Sequence, residues 1–157
     1  MVNVSFLFPA IANQASRVAA MSRWLGKWQV YWKNSLGEQF VGSSLLSCPR
    51  EDGLLKEELN VEVPGNWYGW QGTTWAKYNP KNKTWHYTWQ DNRGSYCDFI
   101  GEFTNRIFSL QFMDASGNQV KQRMVVRLLN SKQLIWECEK YEGKNWRKSW
   151  QVEYRRN

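Results

Sequence analysis

The sequence predicts an all-β fold: an up-and-down antiparallel β-barrel of eight to ten strands, preceded by a short N-terminal helix. Three observations predict it. From Trp24 onward, short runs of alternating apolar and polar residues recur along the chain with little helical periodicity. The joins between them are short and rich in Gly, Asn and Asp, which forces neighbouring strands to run antiparallel. No helical pattern follows the last run to cover an exposed edge, and closure into a barrel removes edges altogether.

The elements follow in order. Residues 1–22 form an N-terminal segment, with a helix over about 10–21 after Pro9, and residues 23–157 form the barrel domain. Met21 is an alternative start. No positive charge precedes the short apolar run until Arg17, which argues against a secretory signal. The run "WLGKWQVYWK" alternates Trp28, Val30 and Trp32 against Gln29, Tyr31 and Lys33. "QFVGSSLLS" follows, then a turn at "CPREDG". "LLKEELNVEV" has helical propensity, but Val61, Val63 and the alternation Leu55, Glu57, Leu59 favour a strand. After "PGN", the run "WYGWQGTTWAKY" reads as a strand bent or closely packed at its glycines. "TWHYTWQ", "SYCDFIGEF", "IFSLQFM", "QVKQRMVVRLL", "QLIWECEKY" and "WRKSWQVEYR" complete the series.

One hairpin can be read to its register. "DNRG" between two alternating runs forms a type I turn with Gly94 in the left-handed position of a bulge. Trp89 then faces Cys97, Tyr87 faces Phe99, and Trp85 faces Gly101, all on one apolar face. His86, the only histidine, lies on the opposite polar face, without a pocket for acid–base work. A two-residue turn would instead bury Asp98 beside Tyr87, which costs several kcal/mol.

The chain of 157 residues contains 11 Trp, 7 Tyr and 7 Phe. Such an aromatic share builds either a dry core or a cavity with aromatic walls. The net charge of +7 suits anionic partners or serves solubility. Cys48, Cys97 and Cys138 are odd in number and widely spaced. That suggests neither a disulfide framework nor a zinc site, and points to a reducing, cytoplasmic compartment. No run is long enough to insert in a membrane as a helix.

Several motifs point further. "LGKW", Leu25 to Trp28, resembles the Gly-x-Trp that opens the first strand of lipocalins and other calycin barrels. Tyr78, Trp85, Trp89, Asp91, Gly94 and Gly101 resemble the central hairpin of a family of lipocalin-like proteins with no shared activity. Trp136, Gly143, Trp146, Tyr154 and Arg156 are similar to that family's closing pattern. Asn79 and Tyr141-Glu142 depart from it, in turns only. The resemblance covers about residues 24–157. It implies a barrel, and it implies that Trp28 lies at a closed end beneath Arg156. Relatives of that fold mostly bind small hydrophobic molecules, which is an analogy from fold.

These readings converge on binding of a small hydrophobic or aromatic ligand within the barrel. Trp32, Trp70, Tyr87, Trp89, Phe108 and Phe112 are the expected lining. Trp70 sits in a run with tryptophans of both parities. Arg127, on the face of Val125 and Leu129, either pairs an anionic group of the ligand or lies on the outer face. The alternative is a cofactor-independent barrel enzyme of the cyclase, isomerase or chromophore-lyase kind, with Tyr87, Arg127, Glu57 and Glu137 as candidates. A perturbed carboxylate inside the barrel would favour that alternative. No nucleophile, metal or phosphate-loop motif is present, and no catalytic residue, metal or cofactor is assigned. Nucleic-acid binding is disfavoured, because OB-type binders have half as many strands and no RNP motif occurs.

Overall fold

Alternation along each run becomes a closed antiparallel barrel in the computed structural model, which describes residues 22–33, 37–50, 53–104, 107–114, 116 and 118–157. Ten strands form it: β1 (Gly26–Lys33), β2 (Gln39–Ser47), β3 (Leu55–Asn60), β4 (Gln71–Asn79), β5 (Thr84–Asp91), β6 (Tyr96–Thr104), β7 (Ile107–Met113), β8 (Gln119–Asn130), β9 (Gln133–Glu142) and β10 (Asn145–Arg155). Each strand pairs with its sequence neighbour, and β10 returns to β1 to close the ring. Gln29, Val30, Tyr31 and Trp32 pair there with Arg155, Glu153 and their neighbours Tyr154 and Val152.

The expected helical lead-in is corrected. The only helical element among the described residues is a 3-10 turn, Ser22–Trp24, directly before β1. The helix read over about 10–21 lies outside the described residues. A second correction concerns residues 61–70. They belong to no strand, so β3 ends at Asn60 and β4 begins only at Gln71. Pro64, Gly65 and Gly69 break the extended run, the two glycines with φ of 150° and 76°. Trp67 and Trp70 thus escape strand parity, and both fold over the barrel end.

That end, where β1 finishes, is called the upper end. Trp32, Phe40, Trp67, Trp70 and Trp89 pack across it with ring centroids 5.0–5.8 Å apart. The β5–β6 turn clasps the capping segment. Asn92 Nδ2 donates to Gly69 O at 2.8 Å, and Arg93 donates to Asn66 O while lying over the Trp67 ring. The turn has the expected form, with Gly94 at φ 93°. Its register also matches: Trp89 faces Cys97, Tyr87 faces Phe99, and Trp85 faces Gly101. The β9–β10 hairpin overhangs this end. Among the described residues, 145–151 of β10 pair with β9 alone, beyond the last described pair with β1.

The lower end is closed by the 3-10 turn. Arg156 lies over the Trp28 ring at 4.2 Å, the contact that the resemblance implies. Its guanidinium also donates to Leu25 O, Arg23 O and Ser131 O at 2.6–2.8 Å. Trp28 Nε1 donates to Trp24 O at 2.8 Å, and the Trp24 ring meets Phe103 edge-on. One side chain therefore ties the chain's last residues to the start of β1 and to the β8–β9 turn. Arg156→Ala is expected to destabilise the fold by about 2 kcal/mol, through loss of the cation–π contact and three carbonyl partners. Arg156→Lys should recover only part of this, because an ammonium cannot span the three carbonyls from above the ring. Urea denaturation of the three proteins measures both effects.

Candidate functional site

The inward faces of β2 to β4 carry small or polar residues where other strands carry large ones. Ser44 follows Gly42 inward on β2, and Glu57 lies between Leu55 and Leu59 on β3. Thr74 lies between Gly72 and Ala76 on β4. These three, with Tyr87 of β5 and Tyr154 of β10, are all buried. Glu57 is only 4 % exposed, deep in an otherwise apolar interior.

Two hydroxyls hold one oxygen of this carboxyl. Ser44 Oγ donates to Glu57 Oε1 at 2.7 Å, and Tyr154 Oη donates to the same atom at 2.8 Å. Thr74 Oγ1 and Tyr87 Oη share a hydrogen bond of 2.9 Å beside it. Burial pushes the Glu57 pKa up, and the hydroxyl hydrogen bonds from Ser44, Tyr154, Tyr87 and Thr74 offset this only in part. Burial, reinforced by the nearby carboxyl, raises Tyr87 and Tyr154 well above the usual phenol range, so both stay protonated.

A cavity of about 30 Å³ lies against this cluster. Glu57, Thr74, Ala76, Tyr87, Trp136 and Leu46 wall it on the strand side, and Trp24 and Leu25 close it from the lower end. Trp24 and Leu25 are the walls that belong to no strand. They can move without breaking a ladder hydrogen bond. A volume this small holds a water-sized group, so anything larger enters only as the Trp24 wall gives way.

Of the expected lining residues whose side chains are described, Tyr87 alone meets the cavity. Trp32, Trp70 and Trp89 are brought together, but as the plug of the upper end. Phe112 packs on Phe99 at 4.2 Å, within the core. Phe108 pairs in register with Phe103 and Val126, and its side chain lies outside the described residues. Arg127 faces outward and pairs with Glu137 at 3.3 Å, so these two enzyme candidates neutralise each other outside the barrel. His86 is exposed on the outer face. Ser44, Thr74 and Tyr154 were missed as site residues. Their signal was the inward parity of two hydroxyl residues within apolar faces, a position where an unpartnered hydroxyl is costly. A second space, a surface cleft of about 250 Å³ at the upper end, lies between Gln39–Val41 and the Val61–Trp67 segment.

Comparison with known proteins adds little to this geometry. No protein-family model matches the chain, and no curated protein sequence does. Among solved structures, a redesigned β-barrel is similar over 88 % of this chain and 95 % of its own, at 12 % identity and a TM-score of 0.46. No described helix is long and apolar enough to cross a membrane.

The Glu57 environment sets a pH dependence. Its folded pKa lies above its unfolded one, so the folded state binds the extra proton. The stability it contributes is complete below the unfolded pKa. It is lost as pH rises through the folded value. The contribution of Glu57 to wild-type stability should therefore fall as pH rises out of the acid range, opposite in sign to those of Asp91 and Glu153, whose pKa values are lowered. Glu57→Gln, which keeps the shape without the charge, should remove that contribution, so that its stability gains on the wild type as pH rises and exceeds it at pH 8. Urea midpoints from pH 4 to pH 8 provide the comparison.

Proposed function

We propose that the barrel binds a small, largely apolar or aromatic molecule beside Glu57, with Trp24 as the movable wall. The observation that carries this reading is the carboxyl itself. Glu57 stands in an apolar barrel with hydroxyl partners, no ion pair among the described residues, and a cavity at its side. Burying an acid in this way costs stability, and perturbed acids in concave sites cluster where a protein binds or reacts. The aromatic neighbours Tyr87, Trp136 and Trp24 supply flat apolar walls.

We also read the barrel as lipocalin-like. Support comes from the up-and-down order, the Gly-x-Trp at the start of β1, and the Trp28–Arg156 contact at the closed end. Ten strands instead of the eight of lipocalins make it a wider relative in this reading. Its free thiols Cys48, Cys97 and Cys138 suit the cytoplasm. The second reading, a cofactor-independent isomerase or cyclase, is favoured by the same acid: a carboxyl held above its usual pKa at a cavity can exchange a proton with a bound substrate.

The neutral fluorophore 1-aminoanthracene tests the binding reading. Wild type should bind it saturably at one site per chain. Trp24→Ala should tighten binding about tenfold by enlarging the cavity, and Ala76→Leu should abolish it by filling the same space. Equal binding by all three proteins would place the probe elsewhere and overturn the reading.

A further inference from the structure

The inner face of the barrel continues past its upper end and changes chemistry there. Along β9, Leu134, Trp136 and Cys138 point inward and are buried. The next residue of that parity is Lys140, which is exposed. Along β10, Tyr154, Val152 and Trp150 share this inner side, opposite Leu134, Trp136 and Cys138. Tyr154 is buried, whereas Trp150, on the overhang beyond the last described pair with β1, is 45 % exposed.

A bulge brings a second cation to the same side. The register shifts between Lys148 and Trp150, and Ser149, in the extra position, donates from Oγ to Cys138 O at 3.1 Å. In a regular strand Arg147 and Trp150, three residues apart, would face opposite sides. The extra residue turns both inward. Arg147 then stands directly opposite Lys140. Both are exposed, and so is Lys144 at the turn beyond them. Like charges set opposite each other disfavour a hairpin, and an anion between them reverses that effect. One acid, Glu142, approaches this pair, at 3.9 Å from Arg147, and it is itself largely exposed.

We infer that this inner face of the β9–β10 overhang binds single-stranded nucleic acid, with one base stacked on Trp150 and the adjoining phosphate between Lys140 and Arg147. An unpaired base has a flat face for an exposed indole, and its phosphate supplies the anion that the opposed cations lack. The net charge of +7 draws such a polyanion in. Strand count and the lack of an RNP motif speak against readers built on an open sheet face, and a projecting hairpin needs neither. A lipid surface fits less well. The hairpin tip, Glu142-Gly143-Lys144, is polar, and beside it Trp146 is already covered by Arg123 at 4.3 Å and by Tyr141. The site lies at the end opposite the Trp24 wall, so it is independent of ligand binding beside Glu57.

Fluorescence anisotropy of a fluorescein-labelled oligothymidylate of about 12 nucleotides, within the usual site sizes, tests this. Wild type is expected to bind it, more weakly as salt rises. Trp150→Ala should weaken binding about tenfold, and Trp150→Phe should keep most of the affinity. The double variant Lys140→Gln, Arg147→Gln should also bind more weakly, and its slope of log affinity against log salt should be shallower by about 1.4. A control, Lys27→Gln with Lys81→Gln, removes the same charge from exposed positions elsewhere and should bind like wild type. A duplex of the same length has no base free to stack, so Trp150→Ala should leave its binding unchanged. Urea midpoints confirm that each variant is folded. No binding by wild type, full affinity in Trp150→Ala, an equal loss in the control, or an equal loss on the duplex would each overturn the inference. Binding to mixed phosphatidylcholine–phosphatidylserine vesicles without binding of the oligonucleotide would overturn it in favour of a membrane surface.

Discussion

A closed ring of ten strands encloses more space than one of eight, and that space has to be filled. Much of the rest follows from this. Leu and Val can fill a narrow barrel, but a wider one needs side chains that reach further from the wall. Trp28, Trp85, Trp136, Tyr78, Tyr87, Phe99 and Tyr154 are all buried in one continuous core. The reach of the large residues dictates where the small ones go. A Cβ on Gly72 would fall 2.0 Å from the Trp89 ring, and one on Gly101 would strike the backbone oxygen of Ser109 at 1.8 Å. Trp89 thus lies where only a glycine at position 72 leaves it room, and Gly101 lets β6 and β7 approach closely.

The sector around Glu57 is the exception to this filling. Ser44, Thr74 and Ala76 are too short to reach across, and the carboxyl occupies the gap they leave. The protein resolves the conflict between burial and charge by hydroxyls instead of by a cation. A cation would fix the carboxylate as an anion. Hydroxyls, which can rotate, accommodate either state and offset only part of the upward push of burial. The lower closure is tied to this sector through a short path. Arg156 holds Leu25 and Arg23, and between these lies Trp24, which covers the cavity. The clamp that closes the barrel therefore also sets how firmly the site is shut.

Much of this was legible in the residues. β2 and β7 begin and end where the alternation does, and the β5–β6 register follows from one glycine in a four-residue turn. The same parity argument put Trp32, Tyr87, Trp89 and Phe112 on the inner side. It could not say which inner residues border open space. That depends on how far Trp67 and Trp70 reach across from the 61–70 segment, a tertiary matter that no periodicity carries. The segment itself was misread because Val61, Val63 and Trp67 have strand propensity, and propensity yields where Pro64 and Gly65 break the chain. Glu57 was visible as an acid between inward leucines, but its partner Tyr154 lies 97 residues away, and only barrel closure brings the two together.

The overhang of β10 gives the barrel a property that closure otherwise denies it. Over residues 145–151 one side of the strand has no partner among the described residues, as at the edge of an open sheet. Such an edge is a template for adding a strand from another chain. Here Arg147 and Lys148 are exposed along it, and the register shift between Lys148 and Trp150 breaks the flat repeat that a second strand would need. Charge and irregularity guard this stretch, where the described ring leaves one side of a strand unpaired. Removing either would turn a self-contained barrel into a chain with a ready surface for end-to-end aggregation.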